Sequence, residues 1–236
     1  MKQKLFIFIS CFISILPAFS QRSSLNTLIK PIEDSASRGI NNLERYLVSL
    51  PNGYLVEGTI YLDDAFKPGV LIRNDNSVQT TLLYRYNILR SEFHVLDGQD
   101  TGVLNSPESI KYLKLGIQTF IFAPYLENDK QSDGYFQVLT EGKYRLLIKH
   151  TLTFDRANPT CALLQFANEY DRLVPLKVYY VQQGVKPAEK IKNSLRNISK
   201  VINVSKDSLK EISLKNSLNI RKEEDLIRLF NHLNRN

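Results

Sequence analysis

Lys143-Tyr144-Arg145-Leu146-Leu147-Ile148-Lys149-His150-Thr151-Leu152-Thr153-Phe154 is the stretch whose reading decides the fold. Tyr144, Leu146, Ile148, Leu152 and Phe154 fall on one face at a period of two, while Lys143, Arg145, Lys149, Thr151 and Thr153 mostly face the other way. Such alternation is the mark of an antiparallel strand with one face buried. His150 lies on the apolar side, where a lone histidine reads as a hydrogen-bonded core or rim residue rather than a ligand.

Working outward, Glu141-Gly142 is a tight turn, and the same period recurs on both sides of it. Strands are expected at Gly134 to Thr140, Gln118 to Ala123, Ile110 to Leu115, Glu92 to Asp97, Val78 to Ile88 and Phe66 to Arg73, the last broken by Pro68-Gly69. Val56, Gly58, Ile60 and Leu62 form one face of the first strand, and Val174 to Gln182 is the last. Asp63-Asp64 and Asp75-Asn76 are turns. Consecutive strands with no helices between them predict a mainly β fold: an antiparallel meander that forms a curled sheet, a sandwich or a half-open barrel. A transmembrane barrel competes with this reading, but Lys143, Arg145 and Lys149 would then face lipid at substantial cost.

The 236 residues carry 31 Lys plus Arg, 24 Asp plus Glu and a formal charge of +7. That charge is unevenly placed. Residues 1–20 have Lys2 and Lys4, an apolar stretch from Leu5 to Leu16 and small residues at Ala18 and Ser20, which reads as a signal peptide cut before Gln21. The apolar stretch is shorter than the about 20 residues a span needs, so no transmembrane span is expected in the mature chain. Cys11 does not sit in a good lipidation box. Without the leader, Cys161 is the only cysteine, so no intrachain disulfide is expected, and it reads as a small buried hydrophobe. Residues 21–186 hold 18 charges of each sign, and residues 187–236 hold 11 basic and 6 acidic, so the whole mature excess lies in the last segment.

Four segments follow: the signal peptide, 1–20; a helical or irregular lead, 21–53, with Ile40, Leu43, Tyr46 and Leu47 at helical spacing; an antiparallel β domain, 54–186; and a small basic helical C-terminal subdomain, 187–236. In the last, Ile191, Leu195 and Ile198 form one stripe beside Lys192, Arg196 and Lys200. Ser205 caps a second helix containing Leu209 and Ile212. Glu223, Glu224 and Asp225 open a third, with Leu226, Leu229, Phe230 and Leu233 on its apolar face. Lys192, Arg196 and Lys200 are the candidate partner contacts, for an envelope protein, an anionic lipid or a glycan. A nucleic-acid partner is not expected, because the basic excess is modest beside that of basic binding modules.

No glycine-rich phosphate loop, G-x-S-x-G, H-E-x-x-H or C-x-x-C motif is present, and no metal or cofactor is expected. The constellation worth testing lies in Tyr84-Arg85-Tyr86-Asn87 and Glu92-Phe93-His94-Val95. A hairpin with Asn87 opposite Glu92 puts Arg85 opposite His94 and places Arg85, Asn87, Glu92 and His94 on one side, over a layer of Tyr86 and Phe93. That cluster would bind an anion or polar ligand; the plainer reading is a solvated face with weak ion pairs.

At Gly58-Thr59-Ile60-Tyr61-Leu62-Asp63-Asp64-Ala65-Phe66-Lys67-Pro68-Gly69, Leu83 to Asn87, Gly134 to Leu139 and Lys222 to Ile227, the chain resembles uncharacterised exported proteins of Bacteroidetes-type Gram-negative bacteria. The resemblance implies a periplasmic, outer-membrane-associated or secreted location and a β body with a helical end, and it brings no catalytic residues. Asp34-Ser35-Ala36 and Asp207-Ser208-Leu209 also resemble the short O-glycosylation acceptor of such bacteria. The expectation is an exported cell-envelope protein acting as a non-enzymatic binding or structural module. The alternative is an envelope hydrolase or transferase built on Arg85, Glu92 and His94.

Overall fold

A computed structural model describes residues 29–31, 47–49, 55–156 and 171–235. The described residues form a mainly β fold, a mixed sheet that does not close, followed by three helices. The strands are β1 (Ile29–Pro31), β2 (Leu47–Ser49), β3 (Leu55–Glu57), β4 (Lys67–Arg73), β5 (Val78–Gln79), β6 (Leu83–Asn87), β7 (Glu92–Asp97) and β8 (Asp100–Leu104). They continue as β9 (Ile110–Leu115), β10 (Gln118–Glu127), β11 (Lys130–Thr140), β12 (Tyr144–Asp155), β13 (Arg172–Gln183) and β14 (Glu189–Lys190). The spatial order is β1-β8-β7-β6-β4-β9-β10-β11-β12-β13-β3-β2, with β5 beside β4 and β14 beside β13. The pair β13–β3 is parallel, at Arg172 and Glu57.

The four long strands β10 to β13 curl strongly. Their concave side holds Ile121, Ala123, Tyr125, Phe136, Leu147, Tyr180 and Ala188. The chain leaving β13 crosses the mouth of this curl: Ala188 N–H donates to Pro124 O (2.8 Å), and Leu126 N–H donates to Ala188 O (2.9 Å). On the convex side, β4, β6, β7 and β9 cover one half, packing Leu71, Tyr84, Tyr86, Phe93 and Leu113 with Phe120 and Tyr135 of the long strands. The helices α1 (Leu195–Ile202), α2 (Lys206–Lys215) and α3 (Glu223–Arg235) cover the other half, packing Ile198, Leu209, Leu226, Leu229 and Phe230 on Tyr144, Leu146 and Val181. The basic segment therefore packs both on itself and on the sheet.

Several expectations need correction. The strand through Val56 ends at Glu57, because Gly58 takes φ +116° and lies against the Leu173 backbone; Ile60 and Leu62 still face inward. Pro68 and Gly69 do not break β4. Gly69 is needed inside the strand, since a Cβ there would stand 2.6 Å from Leu115 Cδ2 and 2.7 Å from Tyr84 Cδ2. Val78 to Ile88 is two strands, and Asp100–Leu104 was not foreseen, its Asp-Thr-Gly composition hiding its period. Lys149 is not on a solvated face: it is buried over the Tyr125 ring, 3.7 Å from its centroid, and donates to the Tyr125 hydroxyl. Leu47 lies in β2, not in a helix, while Ile40, Leu43, Tyr46, Cys161, the leader and Asp34-Ser35-Ala36 lie outside the described residues.

The helices start where capping chemistry puts them: Ser194 accepts from Asn197 N–H, and Ser205 accepts from Asp207 N–H. Asn234, near the end of α3, closes the β11–β12 turn. Its Oδ1 accepts from Tyr144 N–H (2.8 Å), and its Nδ2 donates to Glu141 O (2.9 Å) and Tyr144 O (3.0 Å). Gly142 makes room for it at φ +128°; a Cβ would lie 2.6 Å from Asn234 Cγ. Gly142→Ala should lower the unfolding free energy by about 2 kcal/mol in denaturant titration, through backbone strain and the loss of this closure. Wild-type stability would show that the turn does not hold the helix.

Candidate functional site

The β6–β7 hairpin has the register Arg85 opposite His94 and Asn87 opposite Glu92, with Tyr86 opposite Phe93 on the other face. A four-residue connection, Ile88 to Ser91, makes this possible without Asn-Gly: Asn87 Oδ1 accepts from Arg90 N–H (3.0 Å), and Ser91 takes φ +53°. The cluster Arg85, Asn87, Glu92 and His94 is brought together as the sequence predicts. It is not, however, a solvated face.

The segment from Gly58 to Phe66 folds over it. Leu62 N–H donates to Tyr86 O (3.0 Å), and Ile88 N–H donates to Ile60 O (2.8 Å), tying the segment along β6. Thr59 bonds Asp64, and Ala65 N–H donates to Asp63 Oδ1, which stiffens the turn. Tyr61 and Phe66 then clamp the Arg85 guanidinium, 3.8 and 4.4 Å from the two ring centroids. Stacked cations of this kind gain about 0.5–2 kcal/mol per ring as water is excluded.

The polar groups form a directed chain. Arg85 Nη1 donates to Asp64 O (3.2 Å), and Nη2 donates to Tyr61 Oη (3.0 Å). Tyr61 Oη lies 3.4 Å from His94 Nδ1, and His94 Nε2 lies 3.2 Å from Glu92 Oε1. The arrangement assigns the proton of a neutral imidazole to Nε2, donating to Glu92, with Nδ1 accepting from Tyr61. Burial pushes the His94 pKa down, against the pull of Glu92, and Arg85 and Arg90 add to the lowering. Burial raises the Tyr61 pKa, although Arg85 and Arg90 oppose it, so the phenol keeps its proton at neutral pH.

On the other side of Arg85 is a cavity of about 150 Å³, lined by Leu62, Asp63, Ala65, Lys67, Tyr84, Arg85, Tyr86, Leu115 and Gln118. It has the volume of about five water molecules. Arg85 Nε is buried with no hydrogen-bond partner, as is the Tyr84 hydroxyl; the Tyr86 hydroxyl approaches Ser91 without a well-formed bond. Burial lifts both phenols to a pKa of about 12, so neither wall contributes a negative charge. Lys67 and Arg85 face Asp63 alone, and Lys67 is paired with it, so the wall has one uncompensated positive charge. Tyr61, Asp64 and Phe66 complete the clamp. The sequence reading placed them in a strand and a turn; the aromatic residues flanking the Asp63-Asp64 turn were the available signal.

His150 is not part of this cluster. Its ring packs 6.5 Å from Tyr86 and 6.4 Å from Phe120, on the face of the hairpin opposite Arg85 and His94. His150 Nε2 lies 2.8 Å from Gln137 Oε1. Burial lowers its pKa to about 4, Lys177 adds to this, and Glu223 opposes it. Burial works against the Glu223 carboxylate too, but hydrogen bonds from Lys177 (2.9 Å) and Tyr179 (2.8 Å) hold its pKa below the usual range. Between about pH 6.5 and 4 the unfolded chain binds a proton at His150 that the folded chain does not, so stability falls as pH falls through this window. The loss should reach about 3 kcal/mol. Urea titrations at pH 7 and 4.5 should show this slope reduced in His150→Gln; an unchanged slope would place the titration elsewhere.

Lys192, Arg196 and Lys200 are all exposed, and Arg196 and Lys200, four residues apart on α1, share a face. Among the described residues, no group of three or more His, Cys, Asp or Glu is placed to hold a metal ion, and no helix is long and apolar enough to cross a membrane. Ser208 is exposed in the first turn of α2. Searches against protein-family models, curated proteins and solved structures give no match to this chain.

Proposed function

We propose that the chain is an exported cell-envelope binding module, not an enzyme, whose Arg85 cavity takes a small monocarboxylate. The observation that carries this reading is the state of Arg85. Its two faces are covered by Tyr61 and Phe66, each Nη holds one partner, and the buried Nε faces none. An arginine fixed in this way offers a preorganised edge for a planar carboxylate. The wall supports one negative charge, Gln118 offers an amide, and Leu62, Ala65 and Leu115 favour a short apolar substituent. The size favours a ligand of only a few non-hydrogen atoms.

The competing hydrolase or transferase reading of Arg85, Glu92 and His94 has less support. His94 is 3% exposed, and both ring nitrogens are engaged inside the protein. Tyr61, the one hydroxyl in the hydrogen-bonded series from Arg85 to Glu92, has its pKa pushed in the wrong direction for a nucleophile. Export rests on the leader at residues 1–20, and the exposed Lys192, Arg196 and Lys200 provide a basic face for an anionic envelope partner.

Titration with butyrate, followed by Arg Nε–H resonances, should shift one signal, while butyramide should shift none. Arg85→Lys should weaken butyrate binding at least about tenfold, since the ammonium lacks the fork. Gln118→Leu, outside the clamp, separates lost binding from lost folding, because it should also weaken binding while leaving the thermal transition in place. Equal binding of the amide, or undiminished binding in both variants, would end the carboxylate reading.

A further inference from the structure

The three connections β9–β10, β11–β12 and β13–β14 lie at one end of the long strands, because β10 and β12 start there and β11 and β13 finish there. Two of these turns carry aliphatic residues standing wholly in solvent: Ile117 at 103% and Val185 at 96% exposure. Each follows a glycine in the left-handed region, Gly116 and Gly184, both at φ +58°, with nothing within 4 Å of where a Cβ would be. Among the described residues, none covers either side chain. Unpartnered Ile and Val at turn apices cost solubility and return nothing to the core.

The charges around them are predominantly basic. Lys143 and Lys186 are exposed on two of these connections, and Lys114 is exposed one residue before the end of β9. Helix ends are brought to this end as well. Gln183 Nε2 donates to Val201 O (3.0 Å), placing the last turn of α1 and exposed Lys200 beside β13. Asn234 binds the Glu141–Tyr144 turn, placing exposed Arg235 beside it. The acidic residues here are Glu141, paired with Arg145 at 2.7 Å, and Glu189 on β14, next to exposed Lys190. At the opposite end, the β10–β11 turn and the end of β12 expose Glu127, Asp129, Asp133 and Asp155 against Lys130 and Arg156, the latter paired with Asp171. The molecule is thus polarised along its long strands, with apolar apices at the basic pole.

We propose that this pole is a peripheral docking surface for an anionic lipid bilayer, with Ile117 and Val185 entering the interface and Lys114, Lys143, Lys186, Lys200 and Arg235 facing the headgroups. Side chains of this kind gain by leaving water at the acyl boundary, and each Lys or Arg near an anionic surface adds attraction that falls off with salt. The acidic pole is repelled, which fixes the orientation.

The test is flotation of the mature chain, residues 21–236, with phosphatidylcholine vesicles and with the same vesicles containing a third phosphatidylglycerol. Binding is expected only to the anionic vesicles, and it should weaken as salt is raised. The double variant Ile117→Ser, Val185→Ser should bind them about tenfold more weakly or worse. Lys143→Glu with Lys186→Glu should abolish binding, and Asp129→Asn with Asp133→Asn should not reduce it. All these positions are exposed, so the thermal transition should not move. Binding lost in Lys192→Glu, Arg196→Glu but retained in the Ile117, Val185 variant would overturn the proposal and assign the contact to the α1 face. Equal flotation with neutral vesicles, or none with either, would also overturn it. Butyrate binding at Arg85 is independent of every outcome.

Discussion

Strands β11 and β12 carry large apolar residues on both faces, and much of the rest of the molecule serves to cover them. Phe136 and Leu147 point into the curl, whereas Tyr135 and Leu146 point outward on the same strands. A flat sheet covered on one side would leave one of these sets in water, at about 1.5–3 kcal/mol for each large side chain. Curling solves the inner face with the strands' own neighbours. The outer face needs two further layers, the folded-back β4 to β9 region and the helices, which meet near His150.

The same constraint explains the polar groups. Lys149 extends from β12 on the inner side, lies over Tyr125 and donates to its hydroxyl, which in turn donates to Glu127 at 3.3 Å. His150 extends to the outer side and stays neutral by burial. Arg85, on the far face of the β6–β7 hairpin, is neither buried by packing nor left to solvent: a separate segment of chain is folded over it. The three sites differ in which layer supplies their partners.

Much of this was legible in the sequence. The long strands announce themselves by period two, and the β6–β7 register follows from aligning Tyr86 with Phe93. The helices follow from their stripes and from Ser205 and Glu223. What was not legible depends on contacts distant in sequence. Gly58 read as a strand residue, Gly69 as a break and Gly142 as a turn, but each marks a close approach to a residue more than forty positions away: Leu173, Leu115 and Asn234. Lys149 read as outward because alternation gives a side, not what covers that side. Likewise Tyr61 and Phe66 could not be assigned to Arg85 from spacing, since the strand expected to hold Tyr61 stops at Glu57.

The Asn234 contact also sets an order of events. Tyr144 meets its side-chain partner 90 residues later in the chain. During synthesis, every strand can be complete while the outer face of β12 and β13, with Leu146 and Val181, is still bare. Contacts of such separation form late because closing a long loop costs entropy before it returns anything. The nascent chain therefore passes through a stage in which its sheet is built but sticky, and any factor that guards it in the cell has that face as its natural handhold.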